Sequence, residues 1–295
     1  MGLRCAIEVH LPLSDSFLQR IPSRTDRGGG KNKDKTEHLD TVVIGSDEVF
    51  NCAQKSWFGF SRQLFGEGLD ADRVITYAAS FGATTVAKLD KLGIKDTVAG
   101  LLKKLDKISV RDANSVEVVK DLTRNVPDKN VDPVLIYDYS KHMPSSVNLK
   151  DYMIVYTYPG RITDKNEINA IRAYAKSNGL QLVSIGHYFP WCDKTIVPHP
   201  FEVLSYFKNA TCIVTDTFHG SVFSIKFNKQ FCTIVRGMNS NKLTSLLEQF
   251  DLSGRIANDV SKLAAIMEPK IDYAPVNKKI EEERERSIAY LKENL

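Results

Sequence analysis

Residues 210–231, with the sequence ATCIVTDTFHGSVFSIKFNKQF, constrain the fold of this chain more than any other segment. Cys212, Ile213 and Val214 form an apolar run typical of a buried strand, and polar residues separate this run from an apolar helix. A strand that turns directly into a helix brings the intervening polar residues to the carboxyl edge of a parallel sheet, where open α/β sheets bind ligands. The segment therefore predicts an α/β fold with a ligand site at this edge.

The predicted helix begins at Gly220, so the backbone N–H groups of Gly220, Ser221 and Val222 are expected to be available to a phosphate or carboxylate. His219 lies beside them, and histidine is the side chain best matched to proton transfer near neutral pH. A hydrogen-bonded histidine in the core is the structural alternative, but the position of His219 between a strand and a helix favours a function. Asp216 either orients the imidazole or caps the helix.

Strands alternate with helices through the rest of the chain, which indicates parallel sheets covered on both faces. The strand over residues 41–44 ends at Gly45, and residues 84–106 and 257–268 are predicted to be helical. The alternation restarts after the polar segment 140–150, so we predict two Rossmann-like domains with a ligand cleft between them. The predicted divisions are an N-terminal domain, a C-terminal domain that carries the DTFHG motif, and a C-terminal helix that packs back on the N-terminal domain, over residues 1–145, 146–275 and 276–295.

Composition excludes several classes of protein. A net charge of +4 over 295 residues with no basic stripe argues against a nucleic-acid partner. Apolar runs fall short of the roughly 20 residues that span a bilayer, and the N-terminus lacks a signal peptide's apolar core, so we expect a cytoplasmic protein. The five cysteines are scattered without a C-x-x-C pair, which predicts reduced thiols and no metal site. The glycine-rich, charged segment 22–37 predicts a flexible surface connection.

Other segments also place polar side chains after strands. Ser46 and Asp47 follow one strand, where they either cap a helix or bind a ligand hydroxyl. Ser80, in YAASFG, lies among small residues that allow either a close ligand or close helix packing. Arg111 ends the strand ISVRD, where it forms either a structural ion pair with Asp112 or a clamp for a carboxylate or phosphate.

An aromatic segment follows the strand LVSIG of the second half. His187 ends this strand and is expected to face the cleft. Tyr188 and Trp191 either stack on a sugar ring or pack the loop against itself. The second, structural interpretation is favoured on these residues alone.

Six motifs together resemble those of the polysaccharide pyruvyl transferase family. They are, in order along residues 40–256, GSDEVFN, YAASFG, ISVRD, VDPVLI, CIVTDTFHGSVFSIKFNKQF and NKLTSLLEQFDLSGRI. The resemblance implies a two-domain, GT-B-like fold. It also implies transfer of a pyruvyl group from phosphoenolpyruvate to two hydroxyls of a polysaccharide, lipid-linked or nucleotide-linked sugar, giving a cyclic ketal and phosphate in the synthesis of cell-surface glycans. No cofactor is implied beyond the donor substrate, and membrane contact is expected only through a lipid-linked acceptor.

The resemblance also implies roles for individual residues. His219 fits the general acid, and Asp47 or Asp216 the acceptor of the hydroxyl proton. The anionic donor is expected to meet cations and helix N–H groups: Arg111, Arg236, Arg255, Lys242, Gly220 and Ser221. The acceptor sugar is expected to contact Ser46, Ser80, His187, Tyr188 and Trp191. Loss of Arg111 is expected to weaken donor binding without unfolding the protein.

Three departures from the family pattern bear on this prediction. Residues 1–37 lack the family's opening strand and G-x-x-N-x-G turn, so the first domain is predicted to be truncated or rebuilt. Lys242 or Arg236 is expected to replace an arginine that many members carry near position 241. Glu48 and Phe50 stand where glutamine and tryptophan are common. The alternatives are a GT-B-like glycosyltransferase with a nucleotide-sugar donor and a non-catalytic relative.

Overall fold

A computed structural model describes residues 38–54, 60–144, 147–237 and 240–295. The predictions for residues 1–37, including the flexible connection, lie outside the described residues. The described residues divide into two compact units. The first takes residues 38–110, 115–129 and 294–295, and the second takes Arg111–Asn114 and Asn130–Glu293. The domain bounds drawn from the sequence stay a prediction.

The first unit holds a parallel four-stranded sheet in the order β1-β2-β3-β4, with β1 Leu39–Asp47, β2 Ala71–Ala79, β3 Ser109–Val110 and β4 Asp128–Lys129. Strand β1 extends through Gly45 to Asp47, beyond the predicted strand end at Ile44. Gly45 has a φ of +149° and lies against β2 so closely that a Cβ there would stand 2.0 Å from the carbonyl oxygen of Tyr77. The two strands can therefore pair at this point only with glycine.

The first unit's core contains an aromatic cluster. Phe50 is buried and its ring stacks on Phe65, with 4.4 Å between centroids, and contacts Phe81 at 5.2 Å. The helices of this part are α1 Val86–Lys91, α2 Lys95–Leu102 and α3 Ala113–Thr123. The single helical stretch predicted over residues 84–106 is wrong, because the chain turns at Gly93, whose φ of +67° lies in the left-handed region.

The second unit holds a parallel six-stranded sheet in the order β10-β9-β8-β5-β6-β7. Its strands are β5 Tyr152–Tyr156, β6 Gln181–Ile185, β7 Lys194–Ile196, β8 Cys212–Thr215, β9 Gln230–Ile234 and β10 Ile256–Ala257. The central strands β5 and β8 are almost wholly buried, as expected for parallel strands with both faces covered. Tyr156 pairs with Thr215 at the carboxyl end of these two strands.

The helices of the second unit are α4 Pro133–Ile136, α5 Lys165–Ser177, α6 Pro200–Asn209, α7 Phe218–Lys226, α8 Ser240–Gln249, α9 Leu263–Met267 and α10 Tyr273–Asn294. The helix predicted over residues 257–268 is wrong in its first half. Ile256 and Ala257 instead pair with β9, and the side chain of Asp259 accepts a hydrogen bond from the backbone of Ser261 in a short turn. Among the described residues, no helix combines the length and apolarity that crossing a bilayer requires.

Candidate functional site

Helix α7 begins at Phe218, two residues before the predicted start at Gly220. The hydroxyl of Thr217 accepts a hydrogen bond from the backbone N–H of Gly220, and the Thr217 carbonyl accepts from that of Ser221. Both N–H groups, which were expected to be available to an anion, are therefore engaged within the protein in this structure. It is Thr217, not Asp216, that caps the helix. The first three N–H groups of a helix have no carbonyl partner within it, and in α7 these belong to Phe218, His219 and the capped Gly220.

Gly220 and Ser221 fix the first turn of α7 against the sheet. A Cβ at Gly220 would lie 2.1 Å from the hydroxyl oxygen of Thr215, so the helix can approach strand β8 this closely only with glycine. Ser221 is buried, and its hydroxyl hydrogen bonds to the Thr217 carbonyl and to the Thr233 hydroxyl. The side chain of Ser221 thus ties α7 to strand β9. Donor contacts by these two residues stay a prediction.

His219 and Arg111 approach the same carboxylate. The imidazole Nε2 lies 3.8 Å from Oδ2 of Asp132, and the Arg111 guanidinium donates to the same oxygen at 2.8 Å. The guanidinium also lies 4.1 Å from the ring centroid of Phe218. Although Arg111 comes from the first half of the sequence, all these residues belong to the second unit. The structure therefore brings together the two groups on which the sequence argument depended, with Asp132 between them.

The Arg111–Asp132 pair is buried. Each side chain is 2% exposed, whereas that of His219 is 11% exposed. Removing one partner of a buried pair leaves an uncompensated charge. Loss of Arg111 was expected to leave the fold intact. Because Arg111 is part of the packed interior, we now expect its loss to destabilise the protein.

A shallow depression borders this pair. It is open to solvent on one side. Arg111, Asp132, Phe218 and Lys242 all contribute to its wall. The depression thus joins two of the cations that were predicted to meet the donor.

The loop that carries Asp132 is held from both sides. Oδ1 of Asp132 accepts the backbone N–H of Val134 and caps α4, whose first residue is Pro133. From α10, the buried Ser287 hydroxyl lies 3.4 Å from the backbone nitrogen of Val131, and Arg284 donates to the carbonyl oxygen of Ile136. These contacts fix Asp132 relative to His219.

Asp216 lies at the carboxyl end of β8, directly after the residue that pairs with Tyr156. Its side chain is 4% exposed, and its Oδ1 has no hydrogen-bond partner among the described residues. Burial raises the pKa of Asp216, while a hydrogen bond from Thr157 and the charges of Arg161 and Arg236 lower it. Arg161 is 37% exposed, and its guanidinium lies 3.8 Å from that oxygen.

The other two predicted cations already have protein partners. Arg236 forms an ion pair with Glu167, with a shortest N–O distance of 2.8 Å. Arg255 is buried and donates to the carbonyl oxygens of Ile266 and Pro269, both at 2.6 Å. Arg255 thus braces the chain between α9 and α10. A donor contact by either arginine stays a prediction.

The predicted aromatic acceptor residues lie on the loop after β6. The ring of His187 lies 5.8 Å from that of Tyr158, which follows β5. Tyr188 is 74% exposed, whereas Trp191 packs beside Phe189 and contributes to the core. Tyr188 is thus exposed, whereas His187 and Trp191 are half-buried.

Ser46, Asp47 and Ser80 belong to the first unit. The Ser46 hydroxyl accepts the backbone N–H of Asp47, whose φ is +64°. Ser80 is buried, and its hydroxyl accepts the backbone N–H of Gly82. A direct contact of Ser80 with an acceptor would require that turn to open. Across the described ranges, no three His, Cys, Asp or Glu side chains are grouped to hold a metal ion.

Two residues of the site were missed by the sequence argument. Asp132 lies in the VDPVLI motif, and its position before a proline is that of a helix cap, so nothing marked it as the partner of a distant histidine. Arg161 follows Pro159-Gly160, a turn signal, and nothing in that pattern indicates a contact with Asp216. Both residues became visible only through the sheet topology and the packing of α7.

Comparison with solved structures identifies the fold. The S. aureus protein MnaA, in a co-structure with UDP, is similar with a TM-score of 0.51 and 14% identity over 86% of this chain and 75% of that one. UDP-GlcNAc 2-epimerase from Neisseria meningitidis is similar with a TM-score of 0.45 and 12% identity, over 87% of this chain and 77% of that one. An O-GlcNAc transferase from Thermobaculum terrenum is similar with a TM-score of 0.40 and 13% identity, over 85% of this chain and 49% of that one. The predicted α/β fold of the GT-B kind is confirmed.

Sequence comparison identifies the family. A search of curated proteins found no match. The family model for polysaccharide pyruvyl transferase matches residues 4–237, which span the DTFHG segment and both residues of the buried Arg111–Asp132 pair. This match covers most of the chain and five of the six motifs, while the sixth, over residues 241–256, lies beyond it. The chain belongs to the polysaccharide pyruvyl transferase family.

Proposed function

We propose that this protein transfers the pyruvyl group of phosphoenolpyruvate onto two hydroxyls of a sugar, forming a cyclic ketal and releasing phosphate. The observation that carries the proposal is the placement of His219 in the first turn of α7, beside the buried Asp132–Arg111 pair. An imidazole next to a fixed carboxylate is suited to hold and deliver a proton. The family membership supports the same reaction.

The reaction begins with protonation of the methylene carbon of phosphoenolpyruvate. His219 is the proposed acid, and the double-bond electron pair takes its proton to form the methyl group. The adjacent carbon becomes electrophilic, and a sugar hydroxyl attacks it. The bond from that carbon to the phosphate oxygen then breaks, phosphate leaves with the electron pair, and the second hydroxyl closes the ketal. Asp216 and Asp47 are the proposed acceptors of hydroxyl protons.

The donor carries a carboxylate and a phosphate, so its site needs cations and N–H groups. We propose that Lys242 and the first turn of α7 face these anionic groups, with Arg236 and Arg255 as further candidates. Arg111 is proposed to act mainly by holding Asp132, since its guanidinium already donates to that carboxylate. Each charge-assisted hydrogen bond to the donor would contribute about 1.5–3 kcal/mol.

The proposed acceptor is a polysaccharide, lipid-linked or nucleotide-linked sugar. Ser46, Ser80, His187, Tyr188 and Trp191 remain its proposed contacts. A role on the cytoplasmic side of cell-surface glycan synthesis fits an acceptor of any of these three kinds. Of these residues, Tyr188 has the largest exposed fraction for stacking on a sugar ring.

The test combines donor binding with turnover. Phosphoenolpyruvate should raise the melting temperature of the protein. Incubation with phosphoenolpyruvate and a panel of methyl hexopyranosides, UDP-hexoses and polymeric glycans should release phosphate and give a product with the mass gain of a pyruvyl ketal. His219→Asn should lower phosphate release by about 100-fold or more.

His199→Asn is the matched control for this test. His199 is exposed and precedes α6, where asparagine is a favoured capping residue, so this variant should keep both its stability and its turnover. Turnover in His219→Asn equal to that of the control would remove His219 from the mechanism.

The second candidate is a glycosyltransferase with a nucleotide-sugar donor. The observation that favours it is the likeness to the UDP co-structure of MnaA, which shares the fold. Under this alternative a nucleoside diphosphate should raise the melting temperature and phosphoenolpyruvate should not. A non-catalytic relative would show neither turnover nor a shift with phosphoenolpyruvate.

A further inference from the structure

The topology of the second sheet singles out one point on its carboxyl edge. Strand β5 comes first in this sheet, β6 pairs on one side of it, and β8 pairs on the other. The strand order therefore reverses between β5 and β8. In open α/β sheets, ligands bind in the crevice outside the strands at such a switch point.

Two residues stand side by side at this point. Tyr156 and Thr215 are the last paired residues of β5 and β8, so Thr157 and Asp216 come next on adjacent chains. The hydroxyls that flank Asp216 are already engaged within the protein, because Thr215 donates to the carbonyl oxygen of Tyr156 and Thr217 accepts from Gly220. Asp216 is therefore the acidic group at the switch point.

The Asp216 carboxylate has an unused oxygen. Buried polar atoms are nearly always hydrogen bonded, yet Oδ1 of Asp216 has no such partner in the described part of the chain. Arg161 lies 3.8 Å from it, which is an ion-pair distance but longer than a hydrogen bond, and donates at 3.5 Å to the backbone carbonyl of Asp216. The cation favours the ionised carboxylate without using that oxygen.

Arg161, which lies beside this oxygen, can meet a ligand. Arg161 is partly exposed, and its guanidinium lies 4.7 Å from the ring centroid of Tyr158, itself partly exposed. His219 lies in the first turn of the neighbouring helix α7. A hydroxyl donor that reached Asp216 would thus lie between polar and aromatic groups, which suits a sugar.

We propose that Asp216 binds the attacking hydroxyl of the acceptor sugar and takes its proton, with Arg161 keeping the carboxylate ionised and in place. This inference rests on the proposed function and selects Asp216 over Asp47. The hydroxyl oxygen forms the new carbon–oxygen bond with its lone pair, and its proton passes to Oδ1 of Asp216. The proton that His219 gives to the methylene carbon balances this one. Asp216 releases the first proton, which replaces the one that His219 has given, before it takes the proton of the second hydroxyl. That second proton leaves with the phosphate as hydrogen phosphate, so both side chains return to their starting states.

The environment of Asp216 supports a role in proton transfer. Desolvation raises the pKa of the carboxyl, while Thr157, Arg161 and Arg236 oppose the shift. A base whose pKa lies closer to neutrality accepts a proton more readily than an ordinary carboxylate.

The test is Asp216→Asn, which keeps the shape of the side chain and abolishes proton acceptance. We expect phosphate release in the presence of phosphoenolpyruvate and acceptor to fall by about 100-fold or more, while the shift in melting temperature caused by phosphoenolpyruvate is kept. Asp164→Asn is the matched control, since Asp164 caps α5 and asparagine caps equally well. Turnover of Asp216→Asn within threefold of the control would overturn the proposal. So would a loss of phosphate release in Asp47→Asn that Asp216→Asn does not show.

A second measurement separates this inference from the proposed function. Saturation-transfer NMR with methyl hexopyranosides detects sugar binding without turnover. Its signal should be weakened in Asp216→Asn, whose amide oxygen still accepts a hydrogen bond, and lost in Asp216→Leu. If the wild-type protein neither binds phosphoenolpyruvate nor releases phosphate, the proposed function fails, yet this signal still tests the sugar site. A wild-type protein that gives no signal, or variants that keep it, would overturn the assignment of Asp216.

Discussion

The buried pair between Arg111 and Asp132 makes a quantitative prediction. At 2.8 Å and an effective dielectric constant of about 20, the Coulomb attraction is about 6 kcal/mol before the cost of desolvation. Removing one partner of such a pair typically costs about 3–5 kcal/mol, because the other charge stays buried. Arg111→Met, which removes the charge but keeps most of the volume, should therefore lower the free energy of unfolding by about that amount.

The double variant tests the cause of this loss. In Arg111→Met/Asp132→Asn neither charge of the pair remains, and the asparagine oxygen can still accept the Val134 N–H. We expect this variant to regain most of the stability that Arg111→Met loses. Arg286→Met, which removes an exposed ion pair with Glu283, is the control and should change stability by less than about 1 kcal/mol.

Urea unfolding followed by far-UV circular dichroism measures these differences, with midpoints compared at equal slopes. The reasoning is refuted if Arg111→Met unfolds at the same midpoint as Arg286→Met. It is equally refuted if the double variant is no more stable than Arg111→Met. Either result would mean that the buried charge of Asp132 is compensated by groups other than Arg111.

Two further predictions concern the interior. Gly45→Ala should lower the free energy of unfolding by about 2 kcal/mol or more, because its Cβ would meet the Tyr77 carbonyl. The control is Gly100→Ala in helix α2, where the added Cβ has free space, and this variant should be neutral or stabilising in the same thermal melt. Burial raises the pKa of the four described cysteine thiols to about 12; these are Cys52, Cys192, Cys212 and Cys232. At pH 8.5 iodoacetamide should therefore label them at least about 100-fold more slowly in the native protein than in urea. Because these pKa values are raised on folding, their contribution to stability is complete below about pH 9 and is lost as the pH rises toward 12. Equal stability for the two glycine variants, or equally fast native labelling, would contradict these arguments.

The sequence predicted the fold because its signals are local. Apolar runs such as Met153–Val155 and Cys212–Val214 end at polar residues and are followed by amphipathic helices, which defines a parallel sheet without any tertiary information. The errors are also local in origin. The chain turns at Gly93, although the apolar pattern of a helix continues on both sides of that glycine. Helix α7 begins directly after its cap Thr217, earlier than its apolar residues indicated.

The site was predicted only in part, since its contacts join distant residues. His219 and Arg111 were recognised from their positions at element ends. Asp132 was not, because the contact that matters spans 21 residues to Arg111 and depends on how α4 and α7 pack. Arg161 was missed for a similar reason, as only the strand order puts its loop beside Asp216. The contacts of Asp132 and Arg161 thus follow from how the elements pack, and residue type alone does not predict them.

The support of Asp132 by helix α10 has a consequence for biosynthesis. The Ser287 hydroxyl that approaches the backbone of Val131 lies 156 residues later in the chain. While the ribosome is still translating that stretch, every strand of the second sheet can already have formed, but the loop beside the imidazole lacks its brace. A nascent chain that has emerged as far as residue 270 would therefore hold the second sheet without the contact that supports Val131, and this contact would form only when helix α10 docks.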